Sequence, residues 1–310
     1  MSNPTVEPES KLWHDPVMLA EVIEVLALKP GMLYVDGTLG LAGHATAIWP
    51  LIQPGGTIFA TDWDEQMLIE ARDRLGATSE SKDIITVHAN YREIPKVLEK
   101  HLPGRGADAI LLDLGLNSAQ LEDAERGIAF SEDGPLDMRM DRSTGEPASS
   151  MLNRMTEDQL DKIISEYGGE NWSRRIAKMI LEKRKEKALK TTNDLVDCVM
   201  AAIPVAMRET RIHPATRTFQ AIRIAVNNEL DNLEECIREI AWCLAPGGTF
   251  AVLSYHSGED APVKNAFRDL ARLDFTKIYK KPLVPSEEEI SRNRRSRSAK
   301  LRALRKNTTN

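Results

Sequence analysis

The chain has 310 residues, 42% apolar and 28% charged, which is enough to bury a full core and too long for one minimal domain, so one large domain plus an addition is expected. No run approaches the roughly 18 uncharged apolar residues of a membrane span, and the polar, acidic start MSNPTVEPES lacks the basic and apolar regions of a secretory signal, so a cytoplasmic protein is expected. The net charge of −6 argues, on overall balance, against a nucleic-acid partner.

The first third alternates strand and helix signals. Leu33 to Asp36, Thr57 to Thr61, Ile84 to His88 and Ala109 to Asp113 are short apolar runs bounded by Gly, Pro or Asp, each followed by helical periodicity or a turn. This is the rhythm of a mostly parallel sheet with helices on both faces, an α/β fold. After the first run, Tyr34 to Thr46 reads YVDGTLGLAGHAT, a strand, a glycine-punctuated turn and a helix start. The clearest helix runs from Asp64 to Leu75, opening on acids and closing on Arg72, Arg74 and then Gly76.

Beyond Asp113 the rhythm stops for about a hundred residues, where a βα connection normally has about two to six. Thr156 to Tyr167, Trp172 to Lys187 and Thr192 to Ala202 read as three helices, the first and third with Thr caps near their starts. An inserted all-helical domain over residues 135–213 is therefore expected, with residues 1–134 and 214–310 forming the sheet domain. The sheet resumes with one long amphipathic helix from Phe219 to Leu244, a turn at Pro246-Gly247-Gly248 and a strand from Thr249 to Ser254.

The end of the chain offsets the acidic balance, because eight Lys or Arg and no acid lie between Arg292 and Lys306. A charge run is ordinarily a solvated face. From Ser298 to Leu304, however, small or apolar residues alternate with Lys300 and Arg302, so an edge strand with a basic outer face is expected. Cys198, Cys236 and Cys243 are scattered with no C-x-x-C pair, against a disulfide framework or a zinc knuckle.

In open α/β sheets ligands sit beyond the carboxyl ends of the strands. Those ends carry Asp36 and the glycine turn, Asp62-Trp63-Asp64, His88-Ala89-Asn90, Asp113, and Tyr255-His256-Ser257-Gly258-Glu259-Asp260. Asp62 lies 19 residues past Gly43, about where an acid accepts hydrogen bonds from ribose hydroxyls. Glycines at 37, 40 and 43 do not give the dinucleotide spacing G-x-G-x-x-G, which tilts the ligand from a dinucleotide toward S-adenosylmethionine (SAM). Asp36 would then serve the amino-acid end of SAM, directly or by supporting the turn. Asp113 stands where an amino-methyltransferase accepts the target amine hydrogens, and His256 is a second catalytic candidate. A metal site at His256, Glu259 and Asp260 is the lesser reading beside a pocket-lining loop, and no G-x-S-x-G elbow supports a hydrolase. His213, Arg217 and Arg223 are candidates for phosphates, and Phe219 for stacking a base; the bland alternative is a junction where Thr216 caps a helix.

The strings HDPVML, DGTLGLAGHA, LLDLGLNSAQLEDAERGIAF, DGPLDMRMD, HPATRTFQAIRIAVNNEL, APGGTFAVLSYHSGED and NRRSRSAKLRA, in this order, resemble the RsmH (MraW) family from about His14 to Lys306. The resemblance implies a class I SAM-dependent methyltransferase with an inserted substrate-recognition domain, N4-methylating a cytosine in the decoding region of small-subunit (16S) ribosomal RNA. It implies cofactor contacts at Ala42, Gly43, His44, Asp62, Tyr91, Asp113 and Gln120, no metal, and an RNA pocket bordered by Arg139, His213 and Arg217. The expected partner is small-subunit ribosomal RNA or the assembling small subunit, and a homodimer is left open. Two other readings fit the residues alone: an amino-methyltransferase for another nucleic acid, and a non-catalytic SAM- or RNA-binding assembly factor. The family turn usually reads DGTFGxGGHS; here Ala42 replaces a glycine, so a right-handed or extended backbone is expected at that position. The family string Phe-His-Ser-Leu-Glu-Asp becomes Tyr255-His256-Ser257-Gly258-Glu259-Asp260.

Overall fold

The structure, a computed structural model, describes residues 15–77 and 82–308; the start MSNPTVEPES and His14 lie outside the described residues. A first helix, α1 (Leu19–Leu26), leads into the alternating half. There β1 (Leu33–Asp36), α2 (Gly43–Ile48), β2 (Thr57–Asp62), α3 (Glu65–Leu75), β3 (Ile84–His88), α4 (Ile94–His101) and β4 (Ala107–Asp113) follow in turn. β1 and β2 are buried along their whole length, as central strands covered on both faces must be. Asp64 caps α3 by accepting from Gln66 N and Met67 N, and Gly76 ends the helix in the left-handed conformation.

Between β4 and β5 (Leu244–Ser254) the chain builds α5 (Ser118–Glu122), α6 (Ala148–Arg154), α7 (Glu157–Gly168), α8 (Ser173–Glu186), α9 (Thr192–Ala202), α10 (Thr216–Asn227) and α11 (Leu233–Trp242). Thr156 and Thr191 close capping boxes on α7 and α9. A core separate from those on the two sheet faces runs through these helices and includes Ile128, Leu160, Ile176, Leu195 and Phe219.

Two local expectations here need correction. The single helix from Phe219 to Leu244 is two, because Asn228 and Asn232 adopt φ of 49° and 52° between α10 and α11, a conformation that asparagine tolerates better than most residues. Pro246-Gly247-Gly248 lies inside β5, where the pairing with β4 slips between Ala107 and Ala109 and Gly247 takes a φ of 83°.

After β5 come α12 (Ser257–Leu270), β6 (Phe275–Lys277), α13 (Glu287–Arg292), a 3-10 turn (Arg294–Ser298) and β7 (Lys300–Lys306). The seven strands are ordered β3-β2-β1-β4-β5-β7-β6, with β1 to β5 parallel and β7 antiparallel to both its neighbours. This is the α/β, mostly parallel sheet of a class I methyltransferase. The strand order reverses between β1 and β4, which marks the crevice for ligand. β7 is not the edge strand expected from its sequence, because β6 covers its outer side through Phe275, Thr276 and Lys277. Its cations do not form a free face either: Lys300 and Arg302 both bind Asp260 of α12, at 3.1 and 2.7 Å.

Candidate active site

A cavity of about 640 Å³ opens at the switch point, within the usual range for small-molecule sites. Its floor is the turn after β1. Gly37 N donates to Leu111 O at 2.9 Å and Leu39 N to Thr61 O at 3.1 Å, so the turn is pinned to both neighbouring strands. A Cβ on Gly37 would run into the side-chain ends of Leu112 and Ile94, so a larger residue there would force both buried side chains to shift.

Ala42 is fully buried and left-handed, with φ 58° and ψ 31°, contrary to the right-handed or extended backbone expected. Its N–H donates to Leu39 O at 2.8 Å and its carbonyl accepts from Thr46 N at 2.9 Å, so closing the turn and starting α2 both require this conformation. For a residue with a Cβ the strain is about 1–2 kcal/mol.

Three carboxylates lie under or beside the turn. Asp36 is 2% exposed and does not line the cavity; it accepts from Tyr34 OH at 2.8 Å and Thr38 N at 3.1 Å, so it supports the turn. Asp62, on the cavity wall, accepts from Gly40 N at 2.7 Å and Asp64 N at 2.9 Å. Asp113 accepts from Tyr255 OH at 2.6 Å through Oδ1, and its N–H donates to Thr38 Oγ1 at 2.7 Å. Burial pushes the carboxyls of Asp36, Asp62 and Asp113 up to about 6, 7 and 7, against the hydrogen bonds that each accepts.

His44 lines the cavity at the start of α2 and is held neutral by burial. Its Nε2 faces Val17 O at 3.0 Å, which assigns the proton to Nε2 and leaves Nδ1 as an acceptor 3.8 Å from Asp113 Oδ2. Tyr91, Gly43 and Gln120 also line the cavity. Gln120 is fixed from both ends: its Oε1 accepts from Asn117 N at 3.2 Å and its Nε2 donates to Asp64 Oδ2 at 3.0 Å.

Sequence reasoning missed the side chain that completes this corner. Arg126, 5% exposed, pairs with Asp64 at 2.7 Å and joins the start of α3 to the segment after α5. The acid-rich start of α3 signalled a cap, but nothing in the sequence showed that Asp64 would meet an arginine 62 residues later. Arg126→Ala leaves a buried, unpaired carboxylate and is expected to destabilise the fold by about 3–5 kcal/mol, read as a drop in the urea midpoint.

His256 caps α12 and lines the cavity, with Nε2 3.1 Å from Glu259 Oε1 but out of line for a hydrogen bond. Glu259 also accepts from Tyr255 N at 2.7 Å, and Asp260 faces Lys300 and Arg302. Among the described residues no group of three His, Cys, Asp or Glu side chains is arranged to hold a metal ion.

The residues expected to border the RNA pocket lie elsewhere. Arg139 grips Asp137 with two 2.8 Å bonds and donates to Arg142 O, bracing its own loop. His213 and Arg217 line a smaller cavity of about 190 Å³, where Arg217 pairs with Glu209 at 3.0 Å. From there His213 stacks on Phe130, 4.8 Å between ring centres, while Phe130 lines the larger cavity. Arg223 does line the larger cavity but is bound to Glu229 by two 2.8 Å bonds. Phe219 is 3% exposed and packs on Phe130, and Thr216 is the first residue of α10 instead of its cap. Trp63, Leu121, Ile128, Phe130, Met140 and Phe219 give the cavity an apolar lining beside its carboxylates.

The MraW methylase family matches residues 11–307 of this chain. The protein named ribosomal RNA small subunit methyltransferase H from Geobacter sp. (strain M21) is 44% identical, over 94% of this chain and 98% of its own length. The proteins of that name from Clostridioides difficile (strain 630) and Brevibacillus brevis (strain 47) are 42% and 40% identical, with the same shares covered.

Proposed function

The chain belongs to the MraW methylase family, and from that premise we propose that it transfers a methyl group from SAM to the N4 amine of a cytosine in the decoding region of small-subunit (16S) ribosomal RNA. The observation that carries the reading is the family match along nearly the whole chain, joined to a cavity lined by both carboxylates and apolar and aromatic side chains.

The cavity fits the cofactor chemically, since buried carboxylates suit a cationic ligand with ribose hydroxyls. Asp62 holds the ribose with the acceptor capacity left after its two backbone bonds. Gly43, His44, Tyr91 and Gln120 complete the cofactor side, and Ala42, buried and outside the lining, shapes the turn beneath them. SAM, when bound, would supply the methyl group: an N–C bond to it forms as its C–S bond breaks, and S-adenosylhomocysteine leaves as the neutral thioether. Asp113 Oδ2 accepts an amine hydrogen, which draws N4 toward sp3 and frees its lone pair, and then takes the proton that N4 sheds. Tyr255 holds the other carboxylate oxygen still. None of the three cysteines lines the cavity, so transfer is direct, without a covalent cysteine intermediate. The cytosine enters unstacked, with Phe130 and Phe219 as its apolar wall, and His256 stands by as a second polar contact.

The helical unit of residues 135–213 recognises the substrate, while residues 1–134 and 214–310 hold the cofactor. Arg139, His213 and Arg217 then act by shaping the walls instead of gripping phosphate. Among the described residues no helix is long and apolar enough to cross a membrane, and the protein works in the cytoplasm on ribosomal RNA or the assembling subunit.

Incubating small subunits and free rRNA with labelled SAM tests the reading, with label expected at cytosine N4. A chain that binds SAM yet labels no cytosine in either substrate would refute it. A finer check is the pH profile of Tyr255→Phe. The Tyr255 hydroxyl donates to Asp113 and so lowers a carboxyl that burial has raised to about 7, with Glu259 pushing it up and His44 and Asp36 also facing it. Removing the hydroxyl raises the carboxyl further. The acid limb of kcat is expected to move to higher pH, with activity approaching wild type on the alkaline side. An acid limb that stays in place counts against Asp113 as the proton acceptor.

A further inference from the structure

Five arginines line the larger cavity, and three of them are committed within the chain. Arg223 holds Glu229, Arg295 reaches Glu122 at 3.1 Å, and Arg74 donates to Leu41 O at 2.9 Å. Arg294 and Arg297 are different. Both are exposed, and neither side chain has an ion pair or hydrogen bond among the described residues.

Both project from one 3-10 turn, Arg294–Ser298, that is firmly mounted. Ser296 is fully buried and donates to Asn293 O at 2.7 Å, while Asn293 Nδ2 donates to Asp15 O at 3.1 Å. Just before the turn, Glu289 of α13 accepts from Met18 N at 3.2 Å and from Arg292 at 2.8 Å. Arginines elsewhere in the chain, such as Arg126, Arg139, Arg217, Arg223 and Arg302, are neutralised by its own carboxylates. Two guanidiniums with no internal partner, set on one anchored turn that lines the cavity, are free to take an anion from outside.

We propose that Arg294 and Arg297 form a phosphate clamp for the RNA backbone next to the target nucleotide. This rests on the reading that the substrate is RNA. A guanidinium offers a planar pair of donors that matches a phosphate's oxygens, and such contacts set register and orientation without reading sequence. The clamp holds the strand at the rim while the base crosses toward Asp113. It replaces Arg139 and Arg217, whose cations are spent inside the protein, as the phosphate contact.

The test compares wild type with the double variant Arg294→Ala, Arg297→Ala on small-subunit rRNA and labelled SAM across a salt series. The expected result is a roughly 10–100-fold rise in KM for RNA, a much smaller change in kcat at saturating RNA, and an unaltered Kd for SAM. The slope of log affinity against log salt should shrink by about 0.7 to 0.9 per arginine removed, and Arg→Lys at both positions should restore most of it. The SAM Kd reports that the variant has folded. An unchanged KM and salt slope with SAM binding intact overturns the proposal. So does a defect confined to assembled subunits, which would assign the turn to a protein surface. If wild type binds SAM and RNA but transfers no methyl group, the proposed activity fails, and the salt series of RNA binding alone still judges the clamp.

Discussion

Asp113→Asn is expected to lower kcat by about 10²–10⁴-fold while leaving the Kd for SAM within about tenfold of wild type. The exchange is nearly isosteric, and the amide oxygen can still accept the Tyr255 hydroxyl that now sits 2.6 Å from Oδ1. What changes is the second oxygen. Oδ2, 3.8 Å from His44 Nδ1, becomes an NH2 group, a donor where the cytosine amine needs an acceptor. Single-turnover transfer to rRNA with SAM saturating separates chemistry from binding. A variant that keeps wild-type kcat would remove Asp113 from the chemistry, and one that simply loses SAM would make it a cofactor contact.

The second large effect is expected from Asp62→Ala, which should weaken SAM by about 10²–10³-fold in calorimetry. The change removes the acceptor proposed for the ribose and also frees Gly40 N, which the carboxylate holds at 2.7 Å, so the turn loses one of its anchors on β2 while Leu39 N keeps Thr61 O. The apo protein should tolerate the loss. Burial has raised this carboxyl to about 7, meaning that the folded state is penalised for its charge at neutral pH, and deleting the group relieves that penalty while losing two hydrogen bonds. The same shift gives a sign for pH. Lowering pH from about 8 to 6 protonates Asp62 through its raised value, so SAM affinity of the wild type should fall over that window, and the fall should be much smaller in Asp62→Ala. Equal affinity of the two proteins at pH 8 would count against the ribose role.

Much of the sheet was legible because its strands are short apolar runs ending in polar residues, and Asp36, Asp62 and Asp113 fell at the ends of β1, β2 and β4. That alternation located Asp62 and Asp113, while His44, Tyr91 and Gln120 came only with the family resemblance. The substrate side was harder to read, because a charge in a sequence does not say which way it will point or what will neutralise it. Arg139 meets a carboxylate two residues away, Arg217 meets Glu209, and Lys300 and Arg302 share an acid some forty residues distant. β6 escaped because three residues carry no period, and the break between α10 and α11 was written only in asparagines that bend left-handed. Ala42 shows the opposite limit: its residue preference was read correctly, and the hydrogen bonds of the turn overrode it.

The place of β7 has a consequence for biosynthesis. It lies between β5 and β6, paired with β5 from Thr249 to Ser254 and giving β6 its partner in the sheet. A nascent chain translated only as far as α13 has formed every cofactor-side residue, yet it carries an open β5 flank and a β6 with nothing to join. Chains grow at about 5–20 residues per second, so the flank stays uncovered for seconds after β5 has been made. Leu301 and Leu304, buried on opposite sides of the sheet, then close both cores in one step. A prematurely ended chain keeps the open flank and is marked for aggregation or proteolysis. The arginine turn directly precedes that closing strand, so the proposed clamp is set in place only as the sheet is completed.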